Sequence, residues 1–404
     1  MKGDETPITE LLRQINRFVD DLEYSLNDRI DLDVECDNVI LCGMGGSAIS
    51  GDVVADLCVE VSDIPIKVLR YPSLPGWVSK RTFAVVASYS GNTHETLSMY
   101  REAAGTGCPV AVICSGGEID KIAKERGDFV VKVPAGIQPR QSIGFMIGYI
   151  SRMMDLAAGT DVAGMIRDTI PRLRDYNNAL NEDDGDNAAI RISEAIHDKI
   201  PIICVDEPAS SVAMRWRSQL AENSKISSFS WTMPEFNHNE IVGWTETPRE
   251  ELLPLLLMPN VYPECMNGIP ESTNATLEKN GVPFYQVTMD GRNRTECFLK
   301  ALMLGDHVSY RLAKLRGVQK DLNESAKLMR DAVRKGANWV RNELFDILWD
   351  IGTIGSYKEM IGIITPLVEK NDKNAIRRMA LAYKMGYGVT KNEAVSQELY
   401  ARLS

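Results

Sequence analysis

The chain has 404 residues, 44% of them hydrophobic and 25% charged, enough to bury more than one core and to build about two or three domains of ordinary size. Its net charge of −11 excludes nucleic acid as a bulk ligand, because phosphate backbones call for clustered lysine and arginine. No segment approaches the roughly 20 apolar residues that a membrane crossing needs.

The eight cysteines form no CxxC pair, and Cys42, Cys114, Cys204 and Cys297 lie in apolar runs. They are expected to be reduced core residues of a cytoplasmic protein, not a disulfide frame or a zinc site. Met1-Lys2-Gly3-Asp4-Glu5 lacks the apolar stretch of a signal peptide, so a soluble intracellular protein is expected.

In chain order, residues 7–31 predict one amphipathic helix with Leu11, Leu12, Ile15, Phe18, Val19 and Leu22 on a single face. Apolar strands then alternate with helical stretches: strand 38–42, helix 47–58, strands 66–69 and 83–87, helix 93–104, strand 109–114, helix 118–126, strand 129–133 and a closing helix 142–158. That rhythm belongs to a doubly wound parallel sheet. Residues 163–198 are helical and polar, with a soft spot at 181–186 between two lobes. The rhythm returns as strand 200–205, helix 210–225, strand 252–257, helix 271–281, strand 283–289 and helix 294–316, so the second lobe reads as a diverged copy of the first. After Gly317 strands vanish, and polar helix starts recur near Asp321, Ser356 and Asn392, about 35 residues apart, which is helix-pair spacing. Residues 375–401, with small residues at packing positions and a Gly386-Tyr387-Gly388-Val389 turn, resemble Sel1-like repeats; residues 320–370 do so less, and an ordinary helical tail is the alternative. The expected divisions are 1–160, 161–318 and 319–404.

Two turns carry anion chemistry. Residues 88–96, SYSGNTHET, follow the apolar run 83–87 and open a helix; Gly43-Met44-Gly45-Gly46-Ser47 follows strand 38–42 in the same way. Helix starts leave N–H groups free, and the hydroxyls add neutral donors suited to a phosphoester that must be held and released. The turn-rich loop Pro134-Ala135-Gly136-Ile137-Gln138-Pro139-Arg140 aims an arginine at the end of the sheet where such folds bind ligands. In the second lobe Glu222 sits near a helix C-terminus, where the dipole disfavours a carboxylate; a solvated surface glutamate is the alternative. His238, one of four histidines, lies between two amides in Glu235-Phe236-Asn237-His238-Asn239-Glu240. It is suited to proton transfer or to a structural hydrogen bond.

Taken together and in this order, GMGGS at 43–47, SYSGNTHET at 88–96, the 134–140 loop, AEN at 221–223 and EFNHNE at 235–240 resemble the bifunctional phosphoglucose/phosphomannose isomerases of the sugar isomerase (SIS) superfamily, across residues 1–318. The resemblance implies an α/β fold of two flavodoxin-like SIS lobes, followed here by the all-α tail. It implies a homodimer whose active site is completed across the interface, and a hexose 6-phosphate substrate interconverted with fructose 6-phosphate through an enediol or enediolate. It further implies sugar-phosphate binding by Gly45, Gly46, Ser47, Ser88, Ser90 and Thr93. Glu222 would be the base between C1 and C2, Arg140 the cation on the enediolate, and His238, from the neighbouring subunit, the aid to ring opening. No redox cofactor is required and no metal-ligand cluster is visible. One departure stands out: the family's lysine near its C-terminus would fall near Lys327 or Arg330, where the chain runs into the tail. A catalytically weak phosphosugar sensor, with a protein partner held by the tail, is the alternative reading.

Overall fold

The computed structural model describes residues 7–246, 249–262, 264–336, 341–351 and 354–403. Its elements in order are α1 Pro7–Asn16, α2 Phe18–Asn27, β1 Asn38–Cys42, α3 Gly45–Cys58, β2 Ile66–Leu69, β3 Thr82–Ala87, α4 His94–Thr106, β4 Val110–Cys114, α5 Gly117–Arg126, β5 Phe129–Lys132 and α6 Ile143–Ala158. There follow α7 Val162–Arg167, α8 Ile170–Asn181, α9 Ala188–Ala195, β6 Ile200–Asp206, α10 Ser210–Gln219, β7 Phe229–Met233, α11 Glu240–Glu246, β8 Leu252–Pro259, α12 Ile269–Lys279, β9 Tyr285–Met289 and α13 Arg294–Leu315. The last stretch holds α14 Val318–Arg334, α15 Arg341–Ile351, α16 Ile354–Glu369, α17 Lys373–Met385 and α18 Glu393–Ala401.

Residues 14–312 form one compact unit with two all-parallel sheets, ordered β2-β1-β3-β4-β5 and β7-β6-β8-β9. The central strands β3 and β4 are buried along their whole length, as expected for strands covered by helices on both faces. One apolar cluster runs from Phe18 and Leu22 through Val53, Val85, Ile147 and Met153 to Val212, Leu255 and Leu302, so the inner faces of both sheets share a core. The outer face of the first sheet is closed by α4 and α5, that of the second by Phe236, Trp244 and Leu277.

Three places explain why these helices lie so close. On α6, a Cβ at Gly144 would stand 2.6 Å from the Phe18 carbonyl oxygen, and one at Gly148 would stand 2.1 Å from Ser25 Oγ. Glycines one turn apart therefore admit the α2 backbone. On α13, a Cβ at Gly305 would collide with the Trp216 indole at 2.4 Å, while Trp216 Nε1 donates to the Ala301 carbonyl at 2.8 Å. Asp56 of α3 accepts from Ser211 N at 2.9 Å, capping α10 from another helix. Burial pushes the Asp56 carboxyl up to about 7 against the pull of that bond, with Asp52 and Glu207 adding to the rise.

The single helix expected over 7–31 is two helices, parted at Arg17 and ended at Asn27. Arg17 N bonds back three residues to Gln14 O, a tightened turn that breaks the regular ladder. Strand β7 and helix α11 fall where the sequence reading placed no element. Residues 1–13 and 313–404 form the second compact unit. In it α14 to α18 bury Leu344, Leu348, Met360, Ile364, Ile376 and Met379. The turn between α17 and α18 uses Gly386 in the left-handed region, and a Cβ at Gly388 would stand 2.0 Å from the Tyr357 carbonyl oxygen. Asn392 caps α18 by accepting from Val395 N.

Candidate active site

An open parallel sheet binds ligands beyond the C-terminal ends of its strands where the strand order reverses, which in the first sheet lies between β1 and β3. The chain leaving β1 starts α3 at Gly45, whose φ of +52° suits glycine. Met44 at the N-cap offers no side-chain bond, and no acid occupies the first turn of α3. The chain leaving β3 starts α4 behind Thr93, which also makes no capping bond. Two helix starts on paired strands thus keep N–H donors available to an anion. Around them Ser47 and Ser88 are buried, Ser88 Oγ lies 3.4 Å from Thr93 Oγ1, and Ser90 Oγ accepts from Asn92 N at 3.3 Å. Gly91 makes the turn possible: its φ is +67°, and a Cβ there would stand 1.8 Å from the Gly116 carbonyl oxygen.

Arg140 sits in the 3₁₀ turn Pro139–Gln141 after β5. Gly46 lies against it, since a Cβ at Gly46 would be 3.1 Å from Arg140 Cα. Opposite, α10 passes into a π turn, Leu220–Ser224, that ends on Lys225 at φ +57°. Arg140 Nη1 faces Glu222 Oε2 at 3.4 Å; the arginine is largely covered while the glutamate side chain is 49% exposed. The Arg140 backbone is held by Arg215, whose Nη1 donates to the Arg140 carbonyl at 2.8 Å. Arg215 in turn grips Asp306 with Nε and Nη2 at 2.9 and 2.8 Å, and both side chains are almost completely buried. Arg140 Nε donates to Asn223 Oδ1 at 3.0 Å. A carboxylate reachable from solvent, paired with a guanidinium at the edge of a hydroxyl-lined crevice, can hold an anionic ester and exchange protons at carbons beside it.

His238 is exposed and caps the 3₁₀ turn Glu235–Asn237. In a parallel sheet the chain enters β7 from the Glu222 side and leaves it toward His238. The two residues therefore flank opposite ends of a five-residue strand, about 16 Å long at ~3.3 Å per residue. His307 is a different kind of histidine: fully buried on α13, it lies 3.1 Å from Asn177 Oδ1, and burial with nearby Arg311 pushes it down to about 3, so it stays neutral. Lys327 is exposed on α14, and Arg330 is bound fork-to-fork by Glu359 at 2.5 and 2.7 Å. Among the described residues no group of three or more His, Cys, Asp or Glu side chains could hold a metal ion, and no helix is long and apolar enough to cross a membrane.

The structure thus joins Arg140 to Glu222 and sets the Gly45-Gly46-Ser47 turn beside the loop bearing Arg140. Arg215, Asp306 and Ser309 carry no motif and are absent from the sequence reading; an arginine and an aspartate on a helix ordinarily read as solvated. Comparison with known proteins adds the following. The family described as bacterial phospho-glucose isomerase C-terminal SIS domain matches residues 185–332. A bifunctional phosphoglucose/phosphomannose isomerase of Caldicellulosiruptor bescii is 31% identical over 302 residues, covering 72% of this chain and 89% of that protein. One from Aquifex aeolicus is 30% identical over 301 residues, covering 74% and 91%. Among solved structures, the C-terminal domain of glucosamine-fructose-6-phosphate aminotransferase from Francisella tularensis aligns with a TM-score of 0.61 at 14% identity, over 78% of this chain and 97% of that one, a likeness of fold alone.

Proposed function

Because the chain belongs to the bifunctional phosphoglucose/phosphomannose isomerase family, we propose how its residues divide the work of that activity. The protein is a sugar-phosphate isomerase that interconverts glucose 6-phosphate and mannose 6-phosphate with fructose 6-phosphate. Relatives named as isomerases over most of their length do not favour a catalytically weak phosphosugar sensor. In the proposed mechanism the phosphate lies in the first crevice, on the N–H groups at Gly45 and Gly46 and the hydroxyls of Ser47, Ser88, Ser90 and Thr93. Glu222 takes the C2 proton of the open-chain aldose and returns it to C1, while the proton of the C2 hydroxyl passes to the C1 oxygen, so that C2 becomes the ketone carbonyl and C1 carries the hydroxyl. The electron pair left at C2 spreads onto the carbonyl oxygen, and Arg140 stabilises that oxyanion. The observation that carries this reading is the Arg140–Glu222 approach of 3.4 Å.

His238 would assist ring opening in the site of a second copy. The support is its place beyond the C-terminal end of β7, whereas Glu222 precedes the N-terminal end of that strand. The working form would then be a homodimer. A cytoplasmic setting fits the buried, unpaired Cys42, Cys58, Cys108, Cys114, Cys204 and Cys297. We read the tail, 319–404, as Sel1-like helix pairs after SIS lobes at 1–160 and 161–318, on the strength of the Gly386 and Gly388 turn and the Asn392 cap. Such a tail offers a surface to a protein partner.

The test is fructose 6-phosphate turnover in deuterated water, followed by NMR. Deuterium should enter at C2 of both the glucose and the mannose ester. Conversion without any solvent exchange, at several temperatures, would instead indicate hydride transfer and remove Glu222 from its role.

A further inference from the structure

Asn223 follows Glu222 directly, yet it makes no contact of the kind a substrate group would. Its side chain is buried, and both ends of its amide are spoken for. Oδ1 accepts from Arg140 Nε at 3.0 Å, and Nδ2 donates to Ser309 Oγ at 2.9 Å. Ser309 Oγ has already given its own proton to the Asp306 carbonyl at 2.7 Å, so toward Asn223 it can only accept. The Arg140 guanidinium can only donate. Donor and acceptor roles at the two ends therefore agree, and the amide has one orientation; a flipped amide would set N–H against N–H. The chain of bonds ends on the α13 backbone, in a part of the core closed by Gly305 against Trp216.

We propose that Asn223 is a positioning residue for Arg140, fastening the guanidinium by its Nε edge to α13 so that Nη1 is turned toward Glu222 and the reacting oxygens. The inference rests on the role given to Arg140 above. Arginine has four rotatable side-chain bonds, and ordering it only at the moment of reaction costs rotamer freedom. Asn223 and Ser309 bear that cost in the folded protein beforehand. The backbone hold by Arg215 fixes where Arg140 starts, and Asn223 fixes where it points. A misplacement of about 1 Å at such a group can slow a reaction ~100-fold.

The experiment is a double-mutant cycle on fructose 6-phosphate isomerisation by the full chain, with Arg140→Ala, Asn223→Ala and both together. Asn223→Ala is expected to lower kcat ~10- to 100-fold, to move KM less than about 3-fold, and to add less than about 2-fold in the Arg140→Ala background. Ser309→Ala, a smaller change that frees the amide to turn, should lower kcat in the same direction and also lose its effect without Arg140. It serves as the probe if Asn223→Ala lowers the melting temperature too far to assay. Losses that multiply in the double variant would mean that Asn223 acts independently of Arg140 and overturn the proposal, as would wild-type kcat in Asn223→Ala. An Arg140→Ala enzyme with unchanged kcat would remove Arg140 from the mechanism itself, and the inference with it.

Discussion

Replacing Glu222 with glutamine keeps the shape of the side chain and removes its ability to take a proton. Loss of a positioned general base costs roughly 10²- to 10⁴-fold in rate, or about 3–5 kcal/mol at ~1.4 kcal/mol per decade. Folding should barely notice. The pair with Arg140 is 3.4 Å long and the glutamate is 49% exposed, which places it among exposed ion pairs worth about 0–1 kcal/mol. Binding should barely notice either, because the phosphate is proposed to lie on Ser47, Ser88, Ser90 and Thr93 and not on Glu222. The assay is fructose 6-phosphate conversion coupled to a nicotinamide-linked dehydrogenase, paired with calorimetric titration of glucitol 6-phosphate, an open-chain analogue without a carbonyl. The expected result is turnover reduced at least 100-fold with affinity within about 3-fold and an unchanged melting temperature. A variant retaining more than a tenth of normal turnover would refute the assignment of the base.

Gly91→Ala forces a Cβ to within 1.8 Å of the Gly116 carbonyl oxygen at a positive φ. The 88–96 turn must shift, and KM for fructose 6-phosphate should rise on the order of 10-fold with a smaller change in kcat, as steady-state kinetics would report. Asp306→Ala strands the buried Arg215 charge and should cost about 3–5 kcal/mol. For a unit spanning 14–312, at ~2.1 cal/mol/K per residue, that lowers Tm by about 5–8 °C in calorimetry, and pairing Asp306→Leu with Arg215→Met should recover most of it. Asp56 is raised to about 7 chiefly by burial, so the native state binds its proton more tightly than the unfolded chain does. This group's contribution to stability falls as pH rises from about 4 to 7. Asp56→Asn, which keeps an acceptor for Ser211 N, should melt higher than the parent at pH 8, and the gain should shrink toward pH 4.

How much of this was legible in the residues differs element by element. β1, β3 and β4 are continuous apolar runs because helices cover both faces, and such runs announce themselves. β7 does not: it is the sheet's edge strand beside β6, Phe229 is 53% exposed, and Met233 alone of its five residues is buried, so FSWTM carries neither a run nor a clean alternation. The break at Arg17 is equally silent, since the apolar face continues across it. At the site, glycines and hydroxyls at fixed offsets from a strand end mark the two helix starts as candidate anion sites. The hold on Arg140 does not show, because Arg215 and Asp306 stand 91 residues apart on helices whose polar residues look solvated until Gly305 lets the two helices meet.

Glu222 owes its aim to a loop of helix one residue wider than an α turn, spanning 220–224. Deleting Ala221 would tidy that stretch into an ordinary spiral and swing the carboxylate by about 100° away from the guanidinium. The carboxylate proposed as the base thus depends on an irregularity that the helix would discard if left alone, retained because Asn223 and Ser224 are moored to Ser309. Substitutions along the largely buried α13 would reach the proposed base through Ser309, giving selection a way to tune the rate without altering the side chains proposed to meet the sugar.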